Sequence, residues 1–187
     1  MNKQNNSILE IAIFANGCFW CTEAVFQRLK GVKEVVSGFT GGTIKNPAYR
    51  EITTGRTGHA EAIKISFDTS VISYDELLEV FFATHDPTTL NRQGYDVGTQ
   101  YRSEIFYTSE QQKEAAEKFI QLLEKEKVFK SPIVTAISEE KPFYRAEEEH
   151  QNYYNDNKNQ RYCQVIINPK IDKLHKHYAT KLNTIKT

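Results

Sequence analysis

The stretch Ile8-Leu9-Glu10-Ile11-Ala12-Ile13-Phe14-Ala15-Asn16-Gly17-Cys18-Phe19-Trp20-Cys21 decides the fold reading. Residues 8–14 alternate like a strand, with Leu9, Ile11 and Ile13 on one face and Ile8, Glu10 and Ala12 on the other, until Ala15-Asn16-Gly17 breaks the run. Beyond it Cys18, Cys21, Val25 and Leu29 recur by three and four, the spacing of one buried helix stripe, and Gly31 ends that helix. Residues 32–39 then read as a second strand.

Working outward, residues 61–67 form the clearest strand, with Ile63, Ile65 and Phe67 sharing one face. Ser73-Tyr74-Asp75-Glu76 is a capping box, and the helix it opens runs to about Thr84 and buries Leu77, Leu78, Phe81 and Phe82. A short strand around 104–107 follows, then a helix capped by Ser109 with a stripe of Gln112, Ala116, Phe119, Ile120 and Leu123. Weaker signals give a strand over 133–137, a helix over 146–155 and an extended segment over 161–167. The order β-α-β-β-α-β predicts an α+β fold, a ferredoxin-like two-layer α/β sandwich with long loops at 38–58 and 86–100 and a C-terminal extension. One domain over 1–187 is expected, with a mobile tail from about 157.

Composition narrows the function classes. The 187 residues carry 24 Lys plus Arg against 24 Asp plus Glu, so no basic excess points to nucleic acid or an anionic membrane. No apolar run approaches the roughly 20 residues of a spanning helix, and no cleavable leader is legible, so a cytoplasmic protein is expected. Three cysteines are too few, and odd in number, for a disulfide scaffold. A monomer is the default.

Cys18, at a strand-to-helix turn after Gly17, is a nucleophile candidate, because helix-start amides and dipole favour a thiolate. Phe19 and Trp20 beside it read equally as an apolar pocket or as core packing, and Cys21 as a disulfide partner or core. Glu61 shares the apolar strand face, where desolvation would keep a carboxyl protonated near neutrality. His59 reads as a loop residue rather than a metal ligand, since no second His or Cys stands at ligand spacing. Tyr49, Asp96 and Tyr101 lie in loops dense in polar and aromatic groups, and Cys163 precedes a polar tail.

Gly17-Cys18-Phe19-Trp20, Asn46-Pro47 with Tyr49, Thr57-Gly58-His59-Ala60-Glu61, His85-Asp86-Pro87 and Asp96 with Gly98-Thr99-Gln100-Tyr101-Arg102-Ser103 together resemble the A-type peptide methionine sulfoxide reductases, from about Ile8 to Tyr162. The resemblance implies that Cys18 attacks the sulfoxide sulfur, Glu61 protonates its oxygen, and Tyr49 and Tyr101 donate hydrogen bonds to that oxygen. It implies that Phe19 and Trp20 hold the substrate methyl group, that Asp96 supports the site, and that the S epimer is reduced in peptides, with use of the free amino acid left open. No bound cofactor is implied, and thioredoxin is the implied reductant. Cys163, after Tyr162, matches the family's C-terminal resolving cysteine and is preferred in that role. Cys21 stands where many members have Gly and is the alternative. Three rival readings remain open: a general thiol–disulfide oxidoreductase using Cys18 and Cys21, a zinc module built on the cysteines, and a Cys18–His59 hydrolase.

Overall fold

The computed structural model describes residues 8–184; Met1, the one methionine, and the rest of residues 1–7 and 185–187 lie outside the described residues. In chain order the elements are β1 (Leu9–Asn16), α1 (Phe19–Phe26), β2 (Val32–Thr40), α2 (Tyr49–Ile52), β3 (Ala60–Asp68), α3 (Tyr74–Ala83), β4 (Arg92–Gln93), β5 (Asp96–Val97), β6 (Ser103–Tyr107), α4 (Glu110–Lys125), β7 (Ala136–Glu139), β8 (Tyr144–Arg145), α5 (Tyr153–Asp156) and α6 (Asn168–Tyr178). A π-helical stretch, Cys163–Ile167, leads directly into α6.

The sheet order is β7-β6-β1-β3-β2-β8. Its four central strands are mutually antiparallel, which is the ferredoxin-like arrangement expected of β-α-β-β-α-β, and β7 adds a parallel edge. Alternation along the strands splits the apolar residues between two faces. Ala12, Phe14, Ile63, Ile65 and Phe67 join the main core with α1 and α3, while Ile13, Ala15, Ala60, Ala62 and Phe106 form a smaller cluster on the opposite face. The capping box at Ser73 forms as read, with the Ser73 oxygen accepting from the Glu76 amide at 3.1 Å and Glu76 accepting from the Ser73 amide at 2.8 Å. Leu77, Leu78 and Phe81 on α3 are fully buried, each contributing about 1.5–3 kcal/mol.

The chain end departs from the extended segment expected over 161–167. Cys163, Ile167, Ile171 and Leu174 are buried at helical spacing and pack in the main core, so the tertiary contact with α1 overrides the local β-branched composition. The helix expected over 146–155 is also broken, into β8, a 3₁₀ turn at Glu148–His150 and the short α5. Two sets of bonds tie this region to α1. Glu23 accepts from the Asn152 amide at 2.8 Å, and beyond α6 the Lys30 and Asn183 amides donate to the Lys181 and Arg28 carbonyls, each at 2.8 Å.

Candidate active site

Gly17 sets the site. Its φ of +104° is a backbone state that a side chain rarely adopts, and a Cβ there would lie 2.8 Å from Gln93 of β4. The turn delivers Cys18 to the N-cap position of α1, where its side chain makes no capping bond. Glu61 caps instead: its Oε1 accepts from the Phe19 amide at 3.3 Å. The strand parity that pairs Glu61 with Phe39 turns its carboxyl toward the helix side, where it is 2% exposed. Burial pushes its pKa up to about 8, against the Phe19 hydrogen bond, so the carboxyl is largely protonated at neutral pH.

The three cysteines are unpaired and buried, with Cys18 9% exposed and Cys163 fully enclosed. Burial also pushes the Cys18 thiol well up, reinforced by its neighbours Cys21 and Glu61. The expected resting thiolate on Cys18 is therefore opposed by its surroundings, burial first and then the neighbouring Cys21 and Glu61. Cys21, one turn deeper, is drawn downward by the hydrogen bond it accepts from Cys18. The Cys21 sulfur also meets the Tyr162 hydroxyl at 3.6 Å, and that hydroxyl donates to Asp96 Oδ2 at 2.8 Å. Asp96, on β5, thus connects the loop before β6 to the C-terminal segment.

Phe19 is buried against Phe39 and Tyr49, at centroid distances of 5.5 and 6.4 Å. Trp20 stacks flat on Tyr153 at 3.7 Å and donates from Nε1 to His150 Nδ1 at 3.2 Å. His150 in turn lies 4.1 Å from the Tyr49 ring, and burial lowers its pKa. Tyr49 is held in place by its amide, which donates to Glu147 Oε1 at 3.1 Å, and burial pushes its hydroxyl pKa up to about 12. Burial, with Glu61 and Asp96 nearby, likewise raises Tyr101. Both phenols therefore stay protonated donors at any physiological pH. His150 and Tyr153 escaped sequence reasoning, and Tyr162 entered it only as the residue before Cys163, because aromatics in a segment more than a hundred residues away in sequence carry no spacing signal that ties them to Trp20.

An open cavity of about 440 Å³ adjoins the thiols, lined by Cys18, Cys21, Asp96 and Tyr162 among others. Glu61, Tyr49, Tyr101, Phe19 and Trp20 do not line it. His59 is committed elsewhere: Nδ1 accepts from the Gly42 amide at 3.0 Å and Nε2 donates to the Ile44 carbonyl at 2.6 Å, which pins the 41–59 loop. That leaves no ring nitrogen to serve Cys18 as a base. Among the described residues, the three side chains close enough to share a metal ion are Glu147, Glu149 and His150, a group that contains no cysteine.

A buried thiol at a helix start, facing a carboxyl that burial keeps protonated, defines a thiol-dependent oxidoreductase site on a ferredoxin-like sheet. The family model described as peptide methionine sulfoxide reductase matches residues 10–182. Peptide methionine sulfoxide reductase MsrA of Deinococcus radiodurans is 55% identical over 97% of this chain and 92% of its own length. The reduced form of Mxr1 from Saccharomyces cerevisiae superposes with a TM-score of 0.74 at 33% identity, covering 87% of this chain and 92% of that one. Mxr1 in complex with Trx2 matches with a TM-score of 0.51 at 25% identity, covering 82% of this chain and 89% of that one. The chain belongs to the peptide methionine sulfoxide reductase family and is an enzyme that reduces methionine sulfoxide through a thiol.

Proposed function

We propose that Cys18 attacks the sulfur of the S epimer of methionine sulfoxide while Glu61 protonates its oxygen, and that a disulfide formed with a second cysteine is reduced by thioredoxin. The observation that carries this reading is the buried Glu61 carboxyl, protonated near neutrality and hydrogen-bonded to the amide directly after Cys18. A sulfoxide expels oxide only if its oxygen is protonated as the sulfur is attacked, so an acid with a pKa near the working pH is what the step needs. The balance is simple. The thiol of Cys18 and R₂S=O give R₂S and Cys18–SOH, and the thiol proton replaces the one that Glu61 lends.

Tyr49 and Tyr101, both held as donors, hydrogen-bond the sulfoxide oxygen in this reading. Phe19 and Trp20 hold the methyl group, and Asp96 supports the site through its bond to Tyr162. Cys163 condenses with the sulfenic acid, releasing water, once residues from about 157 onward loosen from α1; Cys21 is the alternative, favoured by its contact with Cys18. The thioredoxin step is supported by the Mxr1 complex with Trx2. Three cysteines, too few and odd in number for a disulfide scaffold, suit a reducing compartment, so we place the protein in the cytoplasm, as a monomer without bound cofactor. No helix among the described residues is long and apolar enough to cross a membrane. A thioredoxin-coupled assay on separated sulfoxide epimers tests the proposal: the S epimer turns over and the R epimer does not, and equal rates would overturn the stereochemical reading.

A further inference from the structure

Glu23, 2% exposed on α1, is a buried carboxyl that the chemistry at sulfur does not use. It follows Trp20 by three residues, so the two side chains leave the helix as neighbours on one face. Both meet the same segment. Glu23 Oε1 accepts from the Asn152 amide at 2.8 Å and from Gln27 Nε2 at 3.3 Å, and Gln27 Nε2 also donates to Asn152 Oδ1 at 3.2 Å. Asn152 stands in the left-handed region at φ +54°, a state that persists where surrounding bonds hold it. The residue before it is fixed from the sheet. Gln151 accepts from the Ser37 amide at 3.0 Å and donates to the Ser37 carbonyl at 2.8 Å, as a further strand residue would. Residues 151 and 152 are thus anchored on β2 and α1, and the residues on either side of them both hold Trp20. His150 Nδ1 accepts from the indole Nε1 at 3.2 Å, and Tyr153 lies flat on the indole at 3.7 Å.

We propose that Glu23 is a positioning residue for sulfoxide reduction: through the Asn152 amide it sets where Tyr153 stacks on Trp20, and so fixes the wall that the substrate methyl group meets. The inference rests on Trp20 holding that methyl group. Asn152 and Tyr153 share one rigid peptide unit, so the bond to Glu23 governs how closely the Tyr153 backbone approaches α1. Glu23 itself touches neither thiol nor carboxyl acid; its influence passes through Tyr153 and ends at the indole.

The test uses the full chain and single-turnover reduction of N-acetyl-methionine sulfoxide amide, read as the limiting rate and the substrate concentration that gives half of it. Glu23→Ala is expected to raise that concentration about tenfold, the effect of one lost buried hydrogen bond, and to leave the limiting rate within about threefold of wild type. Trp20 is the chain's one tryptophan, so its fluorescence reads the pocket wall directly, and acrylamide is expected to quench it more strongly in this variant. Glu23→Gln keeps an acceptor for the Asn152 amide and is expected to restore both readouts. Tyr153→Leu is expected to weaken saturation as Glu23→Ala does, and the double variant no further, because both act through one stack. Four results overturn the inference alone: Glu23→Ala or Tyr153→Leu without a shift while Trp20→Leu shifts saturation, Glu23→Gln as weak as Glu23→Ala, or multiplied effects in the double variant. Unshifted saturation in Trp20→Leu overturns the methyl-pocket reading and the inference with it. If Glu23→Ala does not fold, the other variants decide: a shifted Tyr153→Leu with Glu23→Gln at wild-type saturation supports the inference, and an unshifted Tyr153→Leu or a weakened Glu23→Gln overturns it.

Discussion

Glu61→Gln separates the proton on this carboxyl from its hydrogen bond, because glutamine keeps the size and an acceptor oxygen for the Phe19 amide. Burial raises the carboxyl from 4.5 to about 8 in the folded protein. The folded state thus binds the proton more tightly than the unfolded chain, so this group's contribution to stability is intact below pH 4.5 and is lost as pH rises toward 8. At pH 7 the ionisation factors of the unfolded and folded states differ by roughly 300-fold, so ~3 kcal/mol of that contribution has been lost relative to low pH. His85 slopes the other way. Burial lowers it to about 3, so it favours the folded state increasingly as pH rises from 3 to 6.5. The diagnostic quantity is therefore the difference between variant and wild type, in which His85 cancels. In urea titrations the glutamine variant is expected to gain about 3 kcal/mol over wild type between pH 4 and pH 7. Its single-turnover reduction of a methionine sulfoxide peptide is expected to fall by roughly 10²–10⁴, and the wild-type rate to drop above pH 8 as the acid ionises. Parallel stability curves would refute the raised pKa, and a normal variant rate would refute the acid role.

Four further substitutions address the thiols. Cys18→Ser is expected to abolish sulfoxide reduction, read as methionine formed per enzyme. Cys163→Ser is expected to allow one stoichiometric turnover and then stall with thioredoxin; if only Cys21→Ser stalls, the resolving thiol is Cys21. Tyr162→Phe removes the bonds to Asp96 and Cys21, and is expected to cost about 1–3 kcal/mol in urea and to speed alkylation of Cys163. Unchanged stability and alkylation would show that the hydroxyl does not fasten the segment.

Where chain-local periodicity governs, the sequence was readable: the four central strands, the Ser73 cap and the inward turn of Glu61 all follow from alternation or capping chemistry. The 38–58 loop conceals α2, and the 86–100 loop conceals the β4–β5 hairpin that holds Asp96, because a four-residue helix and two-residue strands leave no period to detect. The chain end did carry a usable signal. Cys163, Ile167, Ile171 and Leu174 recur by four, four and three, a helical stripe hidden behind the strand-like Val165-Ile166-Ile167 run. The charge state of Cys18 was not legible, since it depends on how deeply the sulfur lies and on which acidic groups the fold brings beside it.

The bonds that hold α5 and the residues after α6 beside α1 make the segment carrying Cys163 a span clamped at both ends rather than a free arm. A clamped span that bows outward explores a small volume, so if Cys163 is the resolving thiol its sulfur meets the sulfenic acid at an effective concentration in the millimolar range or above. Speed of ring closure is then governed by how readily the span lifts, and dilution of the enzyme leaves that step untouched.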